Sequence, residues 1–282
     1  MIASVLESVG PELRCREAAL VVRLRQAGSV VVAYSGGVDS AYLALVAARE
    51  LGSRALSVTA DSPSYPERHR RIALDVARQY GFAHEVIRTD EMARPAYRAN
   101  DVDRCYHCKH ELYTHLTALA RERGFAAVAD GSNADDRGDY RPGRRAAREF
   151  AVISPLDDVG LGKADIRALA REAGLPTWDE PASACLSSRV PYHSDVTDEK
   201  LRAIEAAETA VRDLGFRVVR VRHHGDLARV EVGAGELARV TEPGIARNLD
   251  RALRALGFRH VTVDLRGYRL GSLNEGVTLK PV

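Results

Sequence analysis

The chain has 282 residues, which is long enough for one large domain or for two modest ones. Its 41 Lys and Arg residues nearly balance 39 Asp and Glu residues, and a net charge of +2 argues against a large nucleic-acid surface. No apolar run is long enough for a membrane span, and the N-terminus does not resemble a signal peptide. We therefore expect a globular cytoplasmic protein with neither nucleic acid nor membrane as a partner.

The first half of the chain alternates helical and strand patterns. Helices are predicted at 12–26, 41–51, 66–80 and 106–123, and short apolar strands at 30–34, 54–60, 84–88 and 126–129. This alternation is typical of right-handed βαβ units in a parallel sheet. Ligands of such sheets bind beyond the carboxyl ends of the strands, which here are followed by residues 35–40, 60–62 and 130–132. We expect these segments to line one pocket.

The motif Ser-Gly-Gly-Val-Asp-Ser joins the first strand to the next helix. Gly36 and Gly37 allow a tight turn, and the first amides of the helix would point at an anion. Ser35 and Ser40 add hydroxyl donors, whereas Asp39 beside a phosphate requires a divalent cation between them. No Gly-Lys-Ser/Thr follows, so this is not a Walker loop. The hexapeptide resembles the pyrophosphate loop of ATP pyrophosphatases; an ordinary strand–turn–helix junction is the alternative.

The pattern changes in the second half. A polar loop is predicted at 133–145, a helix at 163–173 and an irregular stretch at 177–194. Helical patterns follow at 198–214, 236–240 and 243–256, and strands at 217–223, 228–232 and 260–264. We predict a parallel-sheet α/β domain at 1–194, followed by a smaller α+β domain at 195–282.

Several segments together resemble the LarE family of ATP-dependent sulfur transferases, which serve synthesis of the nickel-pincer cofactor of lactate racemase. The matching segments are 35–40, 138–143, 154–156 with 163–170, 181–192, 219–231 and 257–265. Pro-Ala-Ser-Ala-Cys-Leu-Ser-Ser-Arg-Val-Pro-Tyr at 181–192 is the most diagnostic. The resemblance implies a PP-loop fold like that of adenine nucleotide α-hydrolases. It also implies that ATP adenylates a carboxylate of a pyridinium-3,5-dicarboxylic acid mononucleotide, after which sulfur replaces AMP and leaves a thiocarboxylate.

The strand-end positions and the resemblance together indicate the site residues. Those expected to bind ATP are Ser35, Gly36, Gly37, Asp39, Ser40, Ala60, Asp130, Gly131 and Arg189, and Asp39 is also expected to hold Mg²⁺ as a catalytic residue.

Two arginines and a glutamate in the second half complete this set. Arg220 and Arg222 share one face of a predicted strand, and their guanidinium forks suit the substrate phosphate, near a subunit contact in the family. A solvated strand face is the alternative. Glu208 matches a family carboxylate and is a further candidate metal ligand. Without the resemblance, the sequence predicts a glutamate on the surface of a helix. We expect a homo-oligomer.

The sulfur chemistry depends on Cys105, Cys108 and Cys185, because thiols of this spacing in a reducing compartment indicate metal or redox chemistry. In one family subtype the cysteine at the position of Cys185 gives up its own sulfur. In another, three cysteines hold a [4Fe-4S] cluster whose fourth iron carries an extra sulfide. This chain has the three cysteines, so we predict the cluster, with its sulfurs around a common point and Cys185 catalytic.

Other functions remain open. A zinc site completed by His107 or His110 and a sacrificial Cys185 are alternatives for the thiols. A tRNA thiolase also combines a pyrophosphate loop with thiols, but the small net charge argues against it. A regulator that only senses ATP would release no pyrophosphate in response to a substrate.

Overall fold

The structure is a computed structural model that describes residues 9–138, 142–181, 184–269 and 271–272. Its N-terminal part alternates helices and strands, as the sequence predicts. The elements are α1 (Pro11–Ala27), β1 (Val30–Ala33), α2 (Val38–Leu51), β2 (Ala55–Asp61), α3 (Glu67–Tyr80), β3 (His84–Arg88), α4 (Pro95–Arg98), α5 (Arg104–Arg123), β4 (Ala127–Ala129), α6 (Gly143–Glu149), α7 (Pro155–Asp158) and α8 (Lys163–Glu172).

These strands form a parallel sheet in the order β3–β2–β1–β4. β1 is central, because Val30 pairs with Ala55 of β2 on one side and with Ala127 of β4 on the other. Every residue of β1 is buried, since helices cover both faces of the sheet. α1, α2 and α8 pack on one face, and α5 and α6 pack on the other.

A smaller mixed sheet follows in the chain. Its elements are α9 (Asp198–Asp213), β5 (Val219–His224), β6 (Leu227–Val232), α10 (Leu237–Val240), α11 (Pro243–Ala255) and β7 (His260–Val263). β5 and β6 form an antiparallel hairpin, and β7 runs parallel to β6. Val219 and Val221 pack with α9 and α11 in a separate core, so Arg220 and Arg222 occupy the opposite face of β5.

A further apolar cluster connects the two parts of the chain. It contains Tyr97 of α4, Leu201 and Ile204 of α9, and Leu186, Val190 and Val196 of the segment between α8 and α9. The segment that follows Cys185 is therefore packed between α4 and α9 and is not a free surface loop.

The predicted fold class, a parallel α/β sheet with a smaller α+β part, is confirmed. The boundary at 194/195 stays a prediction. The expected loop at 133–145 is wrong at its end, because α6 begins at Gly143. The sequence of α6 has little apolar periodicity, yet its residues Ala146 and Ala147 pack beside Tyr113. Residues 139–141 and 182–183 of the diagnostic segments lie outside the described residues. Of the helices in the described ranges, none has the length and apolar content needed to cross a membrane.

Candidate active site

The turn after β1 is shaped by a close approach to α3. Gly36 has a φ of +68°, and a Cβ there would lie 3.0 Å from the Cβ of Ala73. Both facts favour glycine at this position. The Ser40 hydroxyl crosses the turn: it accepts from the Ser35 amide and donates to the Gly37 carbonyl, each at 3.1 Å. Tyr65 also donates to the Ser35 carbonyl at 2.9 Å, so the turn is preorganised.

The N-terminus of α2 opens at this turn. Gly37 precedes the helix and offers no side-chain cap. The amides of the first helical turn are consequently available to an anion, which the helix dipole also favours. The end of β4 comes close to the same place, because a Cβ on Gly131 would lie 3.0 Å from the Ser40 amide nitrogen. The structure therefore brings the predicted segments 35–40 and 130–132 together.

Asp130 holds the end of β4 in position. Its carboxylate is buried and accepts hydrogen bonds from Tyr113 at 2.7 Å, Ser154 at 2.8 Å and the Ser132 hydroxyl at 3.0 Å. A carboxylate so fully occupied supports Gly131 beside the glycine turn and has little capacity left for a ligand.

Asp39 is the carboxylate that faces this turn. One of its oxygens accepts from the Asn133 side chain at 3.1 Å, and the other, Oδ1, is buried without a hydrogen-bond partner in the described structure. Burial and the nearby Asp136 raise the pKa of Asp39 from 3.8 to about 6, and Lys163 opposes the shift. The Lys163 ammonium lies 3.3 Å from Asp136. An unsatisfied buried carboxylate oxygen is a suitable ligand for Mg²⁺.

Sequence reasoning missed the buried Glu91 at the neighbouring strand ends. Its carboxylate accepts from Ser62 and Ser64, both at 2.6 Å, beyond the predicted ATP contact Ala60 at the end of β2. The Ser64 carbonyl in turn accepts from the Leu186 amide at 2.8 Å. Because Glu91 follows β3 closely, the strand-end rule could have identified it.

The three cysteines lie on two segments that pack together. Cys105 and Cys108 are in the first turns of α5, and Cys185 directly precedes a short 3₁₀ turn at Leu186–Arg189. Cys108 packs against the cluster that contains Leu186. Burial raises the pKa of Cys108, and the charges of Glu91, Cys185 and Cys105 raise it further, so all three thiols lie within electrostatic range.

The cysteine side chains do not converge on one point. Among the residues that the structure describes, no three His, Cys, Asp or Glu side chains are grouped so as to hold a metal ion. The expected placement of the three sulfurs around a common point is thus not seen. His107 and His110 are engaged elsewhere, because His107 lies 3.4 Å from Asp103 and His110 lies 3.4 Å from Arg94.

Arg189 is buried and bonded to protein groups. It is 1% exposed and donates to the carbonyls of Ala184 and Cys185 at 2.8 and 2.9 Å and to Glu208 at 2.8 Å. Burial alone would raise the pKa of Glu208, but Arg189 and neighbouring arginines hold it at about 2. Glu208 also accepts from Arg212 at 2.7 Å, so the predicted ATP ligand and the predicted metal ligand form one internal ion-pair network.

The two strand arginines differ in their surroundings. Arg222 forms a buried ion pair with Glu231 at 2.7 Å and donates to the Ser188 carbonyl at 2.9 Å. Arg220 lies over the Tyr268 ring at 4.9 Å. Burial and the charge of Arg189 lower the pKa of Arg220 to about 10, more than Glu208 compensates. An anion bound beside this buried guanidinium would offset the cost of its burial.

The described geometry defines an ATP-using enzyme of the PP-loop class: a parallel sheet with a glycine turn and an open helix N-terminus at its carboxyl edge. In agreement, the asparagine synthase family model matches residues 17–137.

Full-length relatives narrow the assignment. The chain is 43% identical over 248 residues, 88% of this chain and 92% of the relative, to an uncharacterised protein of Synechocystis sp.. It is 36% identical over 268 residues, 94% of this chain and 96% of the relative, to the pyridinium-3,5-bisthiocarboxylic acid mononucleotide synthase of Lactiplantibacillus plantarum. An uncharacterised protein of Methanocaldococcus jannaschii is 29% identical over 240 residues. The chain belongs to the LarE family of ATP-dependent sulfur transferases.

Proposed function

We propose that this chain uses ATP to activate a carboxylate of pyridinium-3,5-dicarboxylic acid mononucleotide and converts it to a thiocarboxylate. The observation that carries the proposal is the adjacency of two sites. The Leu186 amide, next to Cys185, bonds to Ser64 just beyond β2, whose neighbour β1 ends at the glycine turn. A sulfur-bearing residue thus lies near the edge where ATP would bind. The relative in Lactiplantibacillus plantarum is named for a bisthiocarboxylic acid mononucleotide, which supports this substrate.

The residues around the glycine turn would perform the adenylation. A carboxylate is a poor electrophile, and coupling it to AMP creates a good leaving group. The amides at the start of α2 and the Ser35 and Ser40 hydroxyls would hold the departing pyrophosphate. Mg²⁺ on Asp39, whose Oδ1 is unsatisfied, would offset the phosphate charge. Ala60 and Gly131 would border the same space, because they lie at or just beyond the ends of β2 and β4, the two strands that flank β1.

The substrate phosphate would bind near Arg220. Burial lowers the pKa of Arg220 to about 10, and a phosphate beside this guanidinium would offset the cost of burying its charge. Arg222 contributes to the same strand face, and its ion pair with Glu231 fixes the strand. We place a subunit contact of a homo-oligomer near this strand by family resemblance.

The sulfur would come through Cys105, Cys108 and Cys185. Three thiols on two adjoining segments are suitable donors for a [4Fe-4S] cluster, and to hold it they would have to come closer together than they are in the structure. Such a cluster would supply the transferred sulfur from the iron that lacks a protein ligand. Arg189 would keep Cys185 near the activated carboxylate, because it holds the Ala184 and Cys185 carbonyls. A sacrificial Cys185 uses the same placement and is the alternative.

The nucleotide products test the adenylation. Incubation with Mg²⁺, ATP and substrate should give AMP and pyrophosphate, and only when substrate is present. Ion-exchange chromatography separates these products from ADP. ADP as the main product would contradict the proposal, and AMP formation stimulated by tRNA instead of the mononucleotide would favour a tRNA thiolase.

A further inference from the structure

Arg104 is a buried cation at the cysteine site. It is the first residue of α5 and is 6% exposed. Its Nη1 donates to the Ser187 carbonyl at 2.9 Å, and its Nη2 lies 4.0 Å from the sulfur of Cys105. A buried guanidinium requires hydrogen-bond acceptors and a compensating anion around it.

Asn100 provides a second connection between Arg104 of α5 and the segment that follows Cys185. Arg104 donates to Oδ1 of Asn100, which is fully buried and adopts a left-handed φ of +57°. The Asn100 amide group donates to the carbonyls of Val190, Pro191 and Ser194 at 3.2, 2.7 and 3.1 Å. Arg104 therefore contacts the segment after Cys185 both directly and through Asn100.

We propose that Arg104 is a positioning residue of the sulfur site: it fixes the Cys185 segment on the start of α5 and supplies the positive charge that lets anionic sulfur gather beside Cys105 and Cys185. Arginine suits this role because its two terminal nitrogens face different partners: Nη1 faces the Ser187 carbonyl and Asn100, and Nη2 faces the Cys105 sulfur. The single nitrogen of lysine cannot occupy both places. The inference rests on the proposed function in so far as that function assigns the sulfur chemistry to these cysteines.

The first test measures thiol proximity in metal-free protein, which does not depend on a cluster. Dibromobimane bridges neighbouring thiols, and peptide mass spectrometry identifies the bridged pair. Wild type should form a bridge between an α5 cysteine and Cys185. Arg104→Met should form it with roughly tenfold lower yield, because hydrogen bonds from a charged donor are lost. Arg98→Met, which replaces an exposed arginine at the end of α4, six residues before Arg104, is the matched control and should behave as wild type.

Arg104→Lys is a second variant that keeps the inference testable if Arg104→Met does not fold. It keeps the charge, but its single nitrogen cannot occupy the places of both Nη1 and Nη2, so its bridge yield should be intermediate. Thermal unfolding verifies that each variant is folded. Equal yields in wild type and in a folded Arg104→Met would overturn the inference. If Arg104→Met does not fold, a wild-type yield in Arg104→Lys would overturn the role of the fork.

Iron and acid-labile sulfide after anaerobic reconstitution separate the two proposals. Wild type and Arg98→Met should take up iron, and Arg104→Met should take up less and lose it faster to a chelator. If wild type takes up no iron while the bridge still depends on Arg104, the cluster proposal fails and the role of Arg104 stands. If wild type takes up iron and Arg104→Met matches it in both iron and bridge yield, the cluster stands and the role of Arg104 is refuted.

Discussion

At the residue scale, Asp39 links ligand binding to stability. Its pKa in the folded protein, about 6, is above the value of 3.8 for an exposed carboxyl. The folded state therefore binds this proton more tightly than the unfolded state does. Stability that is present below pH 4 is lost as the pH rises through 6, and the loss corresponds to about 3 kcal/mol. A cation bound to the Asp39 carboxylate would offset this loss of folding stability.

Asp39→Asn should accordingly stabilise the ligand-free protein at pH 8 while it abolishes formation of AMP. The amide carries no charge, so the penalty disappears, but it is a poor Mg²⁺ ligand. Thermal unfolding at pH 8 and at pH 4.5 measures the effect, which should be much smaller at the lower pH. A variant less stable than wild type at pH 8 would show that the Asp39 carboxylate is not strained by burial.

Arg220 and Arg222 should respond differently to replacement by methionine. Arg222→Met leaves Glu231 buried without its main partner, which should cost about 3–5 kcal/mol of folding stability. Arg220→Met should fold and lose affinity for the mononucleotide while keeping affinity for ATP. Urea unfolding and calorimetric titration with each ligand measure the two effects. Equal losses of ATP and substrate affinity in Arg220→Met would contradict the phosphate assignment.

Single residues also show what sequence could and could not predict. The glycine turn was recognisable because Gly36, Gly37 and Asp39 lie within four consecutive residues, and their chemistry follows from local geometry. The ion pair of Arg189 with Glu208 joins residues on different elements, and no local pattern indicates it. Arg189 was expected at the ATP phosphates, whereas its contacts hold the Cys185 turn. Arg104 was overlooked because burial of an arginine cannot be read from sequence.

At the element scale, the site depends on close contact between the end of β4 and the start of α2. Gly131→Ala would place a Cβ 3.0 Å from the Ser40 amide nitrogen, although the backbone there does not need a positive φ. It should push the β4 loop from the helix N-terminus and weaken ATP binding by roughly tenfold or more, because both elements are well packed. Nucleotide titration measures this change.

Gly244→Ala is the matched control, because a Cβ at Gly244 meets nothing within 4 Å. It lies in α11, away from the sheet edge, and should bind ATP as wild type does. Equal ATP affinity in Gly131→Ala and Gly244→Ala would show that the contact of β4 with α2 does not shape the nucleotide site.

Elements were predictable where their periodicity was strong. The strands β1–β4 and the main helices between them follow from alternating apolar segments, and their parallel pairing follows from the helical connections. The order of the strands in the sheet was not predicted. α6 was not predicted, because its Arg-rich sequence buries only two alanines. The packing of the Cys185 segment between α4 and α9 was also beyond prediction, since it depends on contacts between residues distant in sequence.

At the scale of the whole molecule, the role of the cysteines decides whether one chain can transfer sulfur repeatedly or only once. If Cys105, Cys108 and Cys185 share a cluster, alanine at any one should abolish bound iron and repeated turnover. Cys15→Ala, an exposed thiol on α1, should change neither. Iron analysis and product per chain measure the effect. Loss of hydrogen sulfide mass from Cys185, with mild effects at Cys105 and Cys108, would favour sacrificial transfer.

The most direct test of sulfur transfer is the mass of the mononucleotide after anaerobic incubation with the protein, ATP, Mg²⁺ and sulfide. We expect a product in which sulfur replaces one carboxylate oxygen, with one AMP and one pyrophosphate formed for each replacement. The same product should be absent without ATP and with Asp39→Asn. An unchanged mononucleotide, in a protein that binds both ligands and releases AMP, would contradict assignment of this chain as a sulfur transferase acting on that substrate.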